Sequence, residues 1–325
     1  QSLDIEKGEL VRFVLVLTPE EEIHNRIFII VHHLAIDGVS WRILLSDLEM
    51  LLENYSKGIK PELGEKGSSY RQWYKTLEEY GKSRRLLSQE KIWTEIAGSY
   101  KSITFDRDNS DQLTAKDIEL KTVELDQINT QLLLKDVPGV YKTEINDILL
   151  CALAMTMCER EKTEQIVIGM EGHGREEISE GIDLSRTVGW FTSLFPVLLN
   201  IGSDNTISDK IKSVKEQLRK IPDKGLGYGV LKYINKNENF SDFETPEILF
   251  NYLGQLDNIT GENNLLSGSP VSAGTDISRE QTVKEKITIN AIIKEEKLIL
   301  NWNYSSKHFE TDTLNRLSED YLKNL

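Results

Sequence analysis

The stretch "RIFIIVHHLAIDGVSW", residues 26–41, constrains this chain most, because its periodicity changes within a few positions. Residues 27–31 are apolar without interruption, the pattern of a strand covered on both faces. The run stops at two adjacent histidines, His32 and His33, and an Asp-Gly pair follows at Asp37 and Gly38. From Ser40 the spacing turns helical: Trp41, Leu44, Leu48, Leu51 and Tyr55 recur on one face, with Ser40 the expected N-cap and Gly58 the stop. A strand that ends in a turn before a helix is a favoured place for a site in open α/β sheets.

The same reading extends along the chain. Residues 10–17 form a second apolar strand, also expected to be covered on both faces. Helices are expected over 69–81 and 83–97. The polar, aperiodic "DRDNSDQLTAKD" at 106–117 is the expected boundary between two lobes, 1–108 and 109–325. A strand near 118–125 precedes helices at 126–135 and 144–160, the latter capped by Thr143. "EQIVIGMEG" is a strand ending in the carboxylate of Glu171. A helix at 207–220, a strand at 247–253, a hairpin-like pair at 286–305 and a terminal helix from Thr311 complete the α/β pattern. Residues 235–245 and 258–284 are polar and rich in Gly, Ser and Asn, and are expected to be long loops.

Composition excludes several classes. The chain of 325 residues carries 39 Lys plus Arg against 53 Asp plus Glu, a net charge of -14. Nucleic-acid binding needs a concentrated basic surface, so no nucleic-acid partner is expected. The longest apolar runs are too short for a bilayer and no signal peptide is visible, so neither membrane nor export is expected, and the compartment is taken as cytoplasmic. Cys151 and Cys158 lie seven apart on one face of a helical pattern, as buried small hydrophobes unable to bridge each other. No His or Cys stands at metal-ligand spacing, and no metal is expected.

Five stretches carry polar groups where packing alone does not ask for them. His32 and His33 point to opposite faces of their strand, so at most one addresses a given cavity. They fit either hydrogen-bonded core histidines or an acid/base group whose ordinary pKa of ~6.5 suits proton transfer. Glu171, in "EGHGREE", fits either a surface turn or a partly buried carboxyl with a raised pKa. "RTVGWFTSLFPVLL", 186–199, reads as a turn at Gly189 and then a strand, with Trp190 and Phe191 used for packing. "PDKGLGYG", 222–229, lacks the nucleotide-binding glycine spacing and reads as a mobile loop. "ILFNYLGQLD", 248–257, ends an apolar strand in Asn251 and Tyr252.

In this order, the five stretches resemble those of the condensation-type domains of nonribosomal peptide synthetases. "HHLAIDGVSW" matches the H-H-x-x-x-D-G motif of the whole superfamily. "EGHGRE" and "FNYLGQLD", with the two stretches between them, resemble its epimerization branch. The resemblance implies a two-lobed fold like that of chloramphenicol acetyltransferase, with the active site in a tunnel between α/β lobes. It places the catalytic histidine at His33 and the catalytic glutamate at Glu171. It makes Asn251 and Tyr252 site-lining and His32, Asp37, Gly38 and Ser40 supporting, with Arg186 or Arg175 as the expected partner of Asp37. The family opens with an aromatic-rich motif well ahead of the paired histidines. Nothing in the 31 residues before His32 resembles it, so the N-terminal lobe is expected to be incomplete.

The activity so implied is epimerization of an aminoacyl or peptidyl residue held as a thioester. The phosphopantetheine arm comes from an upstream carrier domain, and a downstream condensation domain takes the product. No cofactor bound by the domain itself is implied. The alternatives are a peptide-bond-forming condensation domain and an inactive docking module of the same superfamily.

Overall fold

The period change at His32 is a strand-to-helix junction in the computed structural model of the chain, which describes residues 3–22, 24–203, 205–241, 243, 245–255, 265–269 and 271–325. Val11–Val16 (β1) and Arg26–Val31 (β2) pair antiparallel, Val11 opposite Val31 and Val16 opposite Arg26. Their coverage departs from the sequence expectation. Among the described residues the two form a sheet of their own, and Phe13, Leu15 and Ile27 stand exposed. An apolar run records what a strand tolerates; what lies over it depends on the rest of the chain.

Gly38–Ser56 (α1) follows directly. Its N-cap is Asp37, not Ser40 as the spacing suggested. Asp37 is extended and its carboxylate accepts the Ser40 N–H at 2.7 Å, so the helix begins three residues earlier than its apolar face does. Tyr70–Tyr80 (α2) matches the expected helix. By internal contacts the chain divides into two compact units: Gln1–Thr76 with Ser179–Thr192 and Asn258–Asp276, and Leu77–Ile178 with Ser193–Asp257 and Ile277–Leu325. The charged segment 106–117 lies inside the second.

The helix expected over 83–97 is broken. A turn at Arg84–Leu87, capped by Ser83, is separated from Glu90–Gly98 (α3) by Ser88 and Gln89. Ile118–Leu125 (β3) leads into a helical stretch that departs from α geometry at Leu132–Asp136, just ahead of Pro138, which lacks an N–H to donate. Ile145–Glu161 (α4) starts at Glu144 rather than Thr143, with the Glu144 N–H donated to Asp147 at 2.8 Å. Gln165–Gly172 (β4), Ser193–Asn200 (β5), Ile207–Arg219 (α5) and Ile248–Gln255 (β6) come next. Ile287–Lys294 (β7), Lys297–Ser305 (β8) and Thr311–Asn324 (α6) close the chain.

The six-stranded sheet runs β3-β8-β7-β6-β4-β5, with β6 parallel to both β7 and β4 and the other pairs antiparallel. One face is the core: Ile287, Ile289 and Ala291 of β7 and Leu298, Leu300 and Trp302 of β8 are all buried. α4 contributes the most continuous buried run, Ile148 to Ala154, and α6 packs Leu314 and Tyr321 into the same cluster. Fully burying an aliphatic side chain contributes about 1.5–3 kcal/mol, which makes this face the main stabilising element of the second unit. Cys151 and Cys158 are free and buried in it; burial pushes their thiols up to about 11 and about 12.

Residues 222–229, expected to be a mobile loop, are a packed chain of helical turns. Leu226, Gly227 and Tyr228 are buried, and Gly225 takes a positive φ of 87° against the Phe195 ring, where any Cβ would collide. The glycines admit close packing, not motion. Of the expected loops, 242, 244, 258–264 and 270 lie outside the described residues, and Glu238–Phe240 forms a short helical turn.

Candidate functional site

In the first unit the strand end is held by two hydrogen bonds of His32. The His32 N–H donates to the Leu10 carbonyl at 2.8 Å, the last rung of the hairpin. Its Nδ1 then accepts the Leu34 N–H at 3.1 Å, which caps the turn His33–Ala35 and leaves Nε2 as the protonated nitrogen of the neutral ring. His32 is thereby committed to the backbone. His33 begins the turn with an exposed ring whose centroid lies 5.1 Å from that of Trp190.

Asp37 is only 4% exposed. Its Oδ1 accepts the Ser40 N–H, and its Oδ2 accepts the Phe191 N–H at 3.0 Å, tying α1 to the segment 186–191. Ser40 repeats the link: its Oγ donates to the Gly189 carbonyl at 2.9 Å and accepts the Gly189 N–H at 3.0 Å. Tyr70 donates its hydroxyl to the Trp190 carbonyl at 2.8 Å, and burial, with the nearby Asp37 charge, raises the pKa of that hydroxyl. A Cβ on Gly189 would lie 2.6 Å from the Tyr70 ring and 2.9 Å from the Phe191 ring. Gly189 is therefore the position at which the chain passes between aromatic rings. Of the arginines expected to face Asp37, Arg186 forms an ion pair with Asp47. Gly38 opens α1 with no atom near the place of a Cβ.

In the second unit Glu171 sits near the end of β4, half-buried, and its Oε2 accepts the Asn251 side-chain amide at 2.9 Å. β4 and β6 run parallel there, Gly169 beside Leu249 and Met170 beside Phe250, so the next residues on each strand are Glu171 and Asn251. Alternation sends Tyr252 to the opposite face, where it packs against the hydrophobic core. A register shift follows between Tyr252 and Gln255, with Gly254 at a φ of 82°.

Beyond Glu171 the chain folds back on itself. His173 Nδ1 accepts the Arg175 N–H at 3.0 Å, while His173 Nε2 and Lys224 Nζ approach Glu176 at 3.2 and 3.5 Å. Arg85, His173, Arg175, Glu176, Asp223 and Lys224 line an open cleft. Asp223 anchors the turn: it accepts from Gln89 at 2.6 Å, from Arg85 Nε at 3.0 Å and from the Tyr80 hydroxyl. Burial alone would raise its pKa, but the hydrogen bonds from Arg85, Tyr80 and Gln89 outweigh that and hold it below the usual carboxylate range.

The structure thus gathers His33, Asp37 and Ser40 around 189–191 in one unit, and Glu171 with Asn251 in the other. Missed as site residues were Trp190, whose ring lies beside that of His33, and Gly189 and Tyr70, which hold the Trp190 segment. Among the described residues no cluster of His, Cys, Asp and Glu could hold a metal ion, and no helix is long and apolar enough to cross a membrane.

The chain is similar to known proteins. The chain is 36% identical over 321 residues to bacitracin synthase 3 of Bacillus licheniformis, which takes in 99% of the chain and 5% of that protein. It is 37% identical over 337 residues to tyrocidine synthase 1 of Brevibacillus parabrevis, taking in 100% of the chain and 30% of that protein. It spans only a small part of these relatives. Among solved structures, the epimerization domain from the third module of tyrocidine synthetase B superposes with a TM-score of 0.89 at 32% identity, over 99% of this chain and 72% of that one. The α/β architecture is accordingly of the chloramphenicol acetyltransferase-like, condensation type. The Condensation domain family matches residues 1–325, and the chain belongs to it.

Proposed function

We propose that this domain epimerizes the aminoacyl or peptidyl residue that a carrier domain holds as a thioester on its phosphopantetheine arm. The observation that carries the reading is the Glu171 carboxylate held by Asn251 at the end of β4. The 32% identity to an epimerization domain supports it. A thioester carbonyl acidifies the adjacent Cα–H. Removing that proton breaks the C–H bond and sends its electron pair into an enolate; returning a proton to the other face inverts the centre. Two proton-transfer groups and a donor for the oxyanion are needed. His33 and Glu171 take the acid and base roles, and Asn251 holds the carboxylate in place.

No metal or cofactor of the domain enters this scheme; the pantetheine arm belongs to the carrier upstream. The two epimers differ little in free energy, so the product is a mixture from which a downstream condensation domain selects. The test uses the chain with a carrier loaded with an L-aminoacyl or L-peptidyl group in deuterated water. Deuterium entering Cα together with D product supports epimerization. Amide formation between loaded donor and acceptor carriers, with no Cα exchange, replaces it with condensation.

A further inference from the structure

On the sheet of the second unit a single row of side chains crosses five strands. Asn251 on β6 stands opposite Asn290 on β7, Asn290 opposite Asn301 on β8, and Asn301 opposite Thr122 on β3. Directly opposed residues share a face, so the row extends the Glu171–Asn251 hydrogen bond to the edge strand β3. Four strand spacings of about 4.8 Å make it roughly 19 Å long.

Strand propensity does not explain the row, because Asn is depleted in strands. Packing does not either: the neighbours on the other face, Ile289, Ala291, Leu300 and Trp302, are the buried ones. The three asparagines are half-buried rather than fully solvated. The ends of the row are tied, Asn251 to Glu171 at 2.9 Å and Thr122 to Asn301 at 2.8 Å. Between them the Asn290 amide makes no side-chain hydrogen bond among the described residues. An Asn side chain offers two N–H donors and one carbonyl acceptor, the complement of another amide. No cation stands in the row, which suits an uncharged ligand.

We propose that Asn290 and Asn301 form a hydrogen-bond track for the amide groups of an extended chain whose reactive carbon lies at Glu171. The ligand class rests on the reading that the substrate is a carrier-bound thioester. Such a chain carries amides in two places, in the pantetheine arm and in the peptide upstream of the reacting residue.

The probes are unreactive pantetheine amides, with nitrogen in place of the thioester sulfur, bearing either one amino acid or a tetrapeptide. Their binding to the full chain is titrated by calorimetry. Replacing both residues, Asn290→Ala with Asn301→Ala, is expected to weaken binding roughly 30-fold, as loss of two ordinary hydrogen bonds would. If the arm supplies the amides, both probes lose affinity and a probe cut to an N-acetyl-ethylenediamine stub does not. If the peptide supplies them, only the tetrapeptidyl probe loses affinity. The pair Asn290→Thr with Asn301→Thr suits strands but lacks the amide; it is expected to bind as weakly as the alanine pair while unfolding at the wild-type temperature.

Unchanged affinity of both long probes for the alanine pair, wild-type affinity of the threonine pair, or no binding to the wild-type chain overturns the track. Tight, asparagine-dependent binding without any Cα exchange would remove the epimerization reading and leave the track standing.

Discussion

The side-chain amide of Asn251 donates to the carboxylate of Glu171 at 2.9 Å, across two parallel strands that are far apart in sequence. The amide fixes one carboxylate oxygen, Oε2. Asn251→Ala removes a hydrogen bond to a charged group, and such bonds contribute about 1.5–3 kcal/mol. Cα exchange is expected to fall about 10- to 100-fold with the fold intact, checked by proton exchange rates beside far-ultraviolet dichroism.

Asp37 is expected to matter for stability more than its size suggests. Its buried carboxylate accepts two backbone N–H groups, one from α1 and one from Phe191. Asp37→Ala leaves both donors without this acceptor and is expected to destabilise the chain by about 1–3 kcal/mol in urea unfolding. Gly189→Val should be at least as harmful, because its side chain enters the space of the Tyr70 ring. A wild-type unfolding midpoint for either variant would contradict the described clamp.

The Asp223 anchor gives a pH dependence of definite sign. Its folded pKa lies below its ordinary value of 3.8, so its contribution is fully present above that value and fades as pH falls through the folded pKa. Asp223→Asn is therefore expected to be less stable than wild type at neutral pH, with the difference closing in strong acid. Paired urea unfolding curves between about pH 2 and pH 7 read this directly. A difference that stays constant across the range would mean that the charge contributes nothing.

Both thiols are expected to resist modification in the folded chain. Cys151 and Cys158 are buried and their pKa values are raised to about 11 and about 12, so almost no thiolate exists near pH 8. A chromogenic disulfide reagent should read no thiol in native buffer and 2 per chain in guanidinium. Fast native labelling would mean that the α4 face opens.

Sequence periodicity located the strands and long helices because each rests on local side-chain alternation. Glu171 was visible as a carboxylate ending an apolar strand, and the His32–His33 pair as a break in another. What escaped depends on contacts distant in sequence. Trp190 meets His33 across 157 positions, and its own neighbours read as ordinary packing. Asp37 outcompetes Ser40 as the cap because its carboxylate also has Phe191 to hold. The glycines of 222–229 suggested freedom, whereas Gly225 is there because Phe195 leaves no room for a side chain. One signal was legible and unused: Asn290 and Asn301 occupy the polar phase of two strands whose other phase is uniformly apolar.

The account turns on His33 and Glu171 as the two proton-transfer groups. The direct measurement is deuterium incorporation at Cα of an L-aminoacyl group on a loaded carrier, compared for wild type, His33→Ala and Glu171→Ala. Wild type is expected to exchange the proton and form D product. Each variant is expected to lose both by about a hundredfold or more, within the range general acid–base catalysis supplies. Exchange at the wild-type rate in both variants would contradict the central claim.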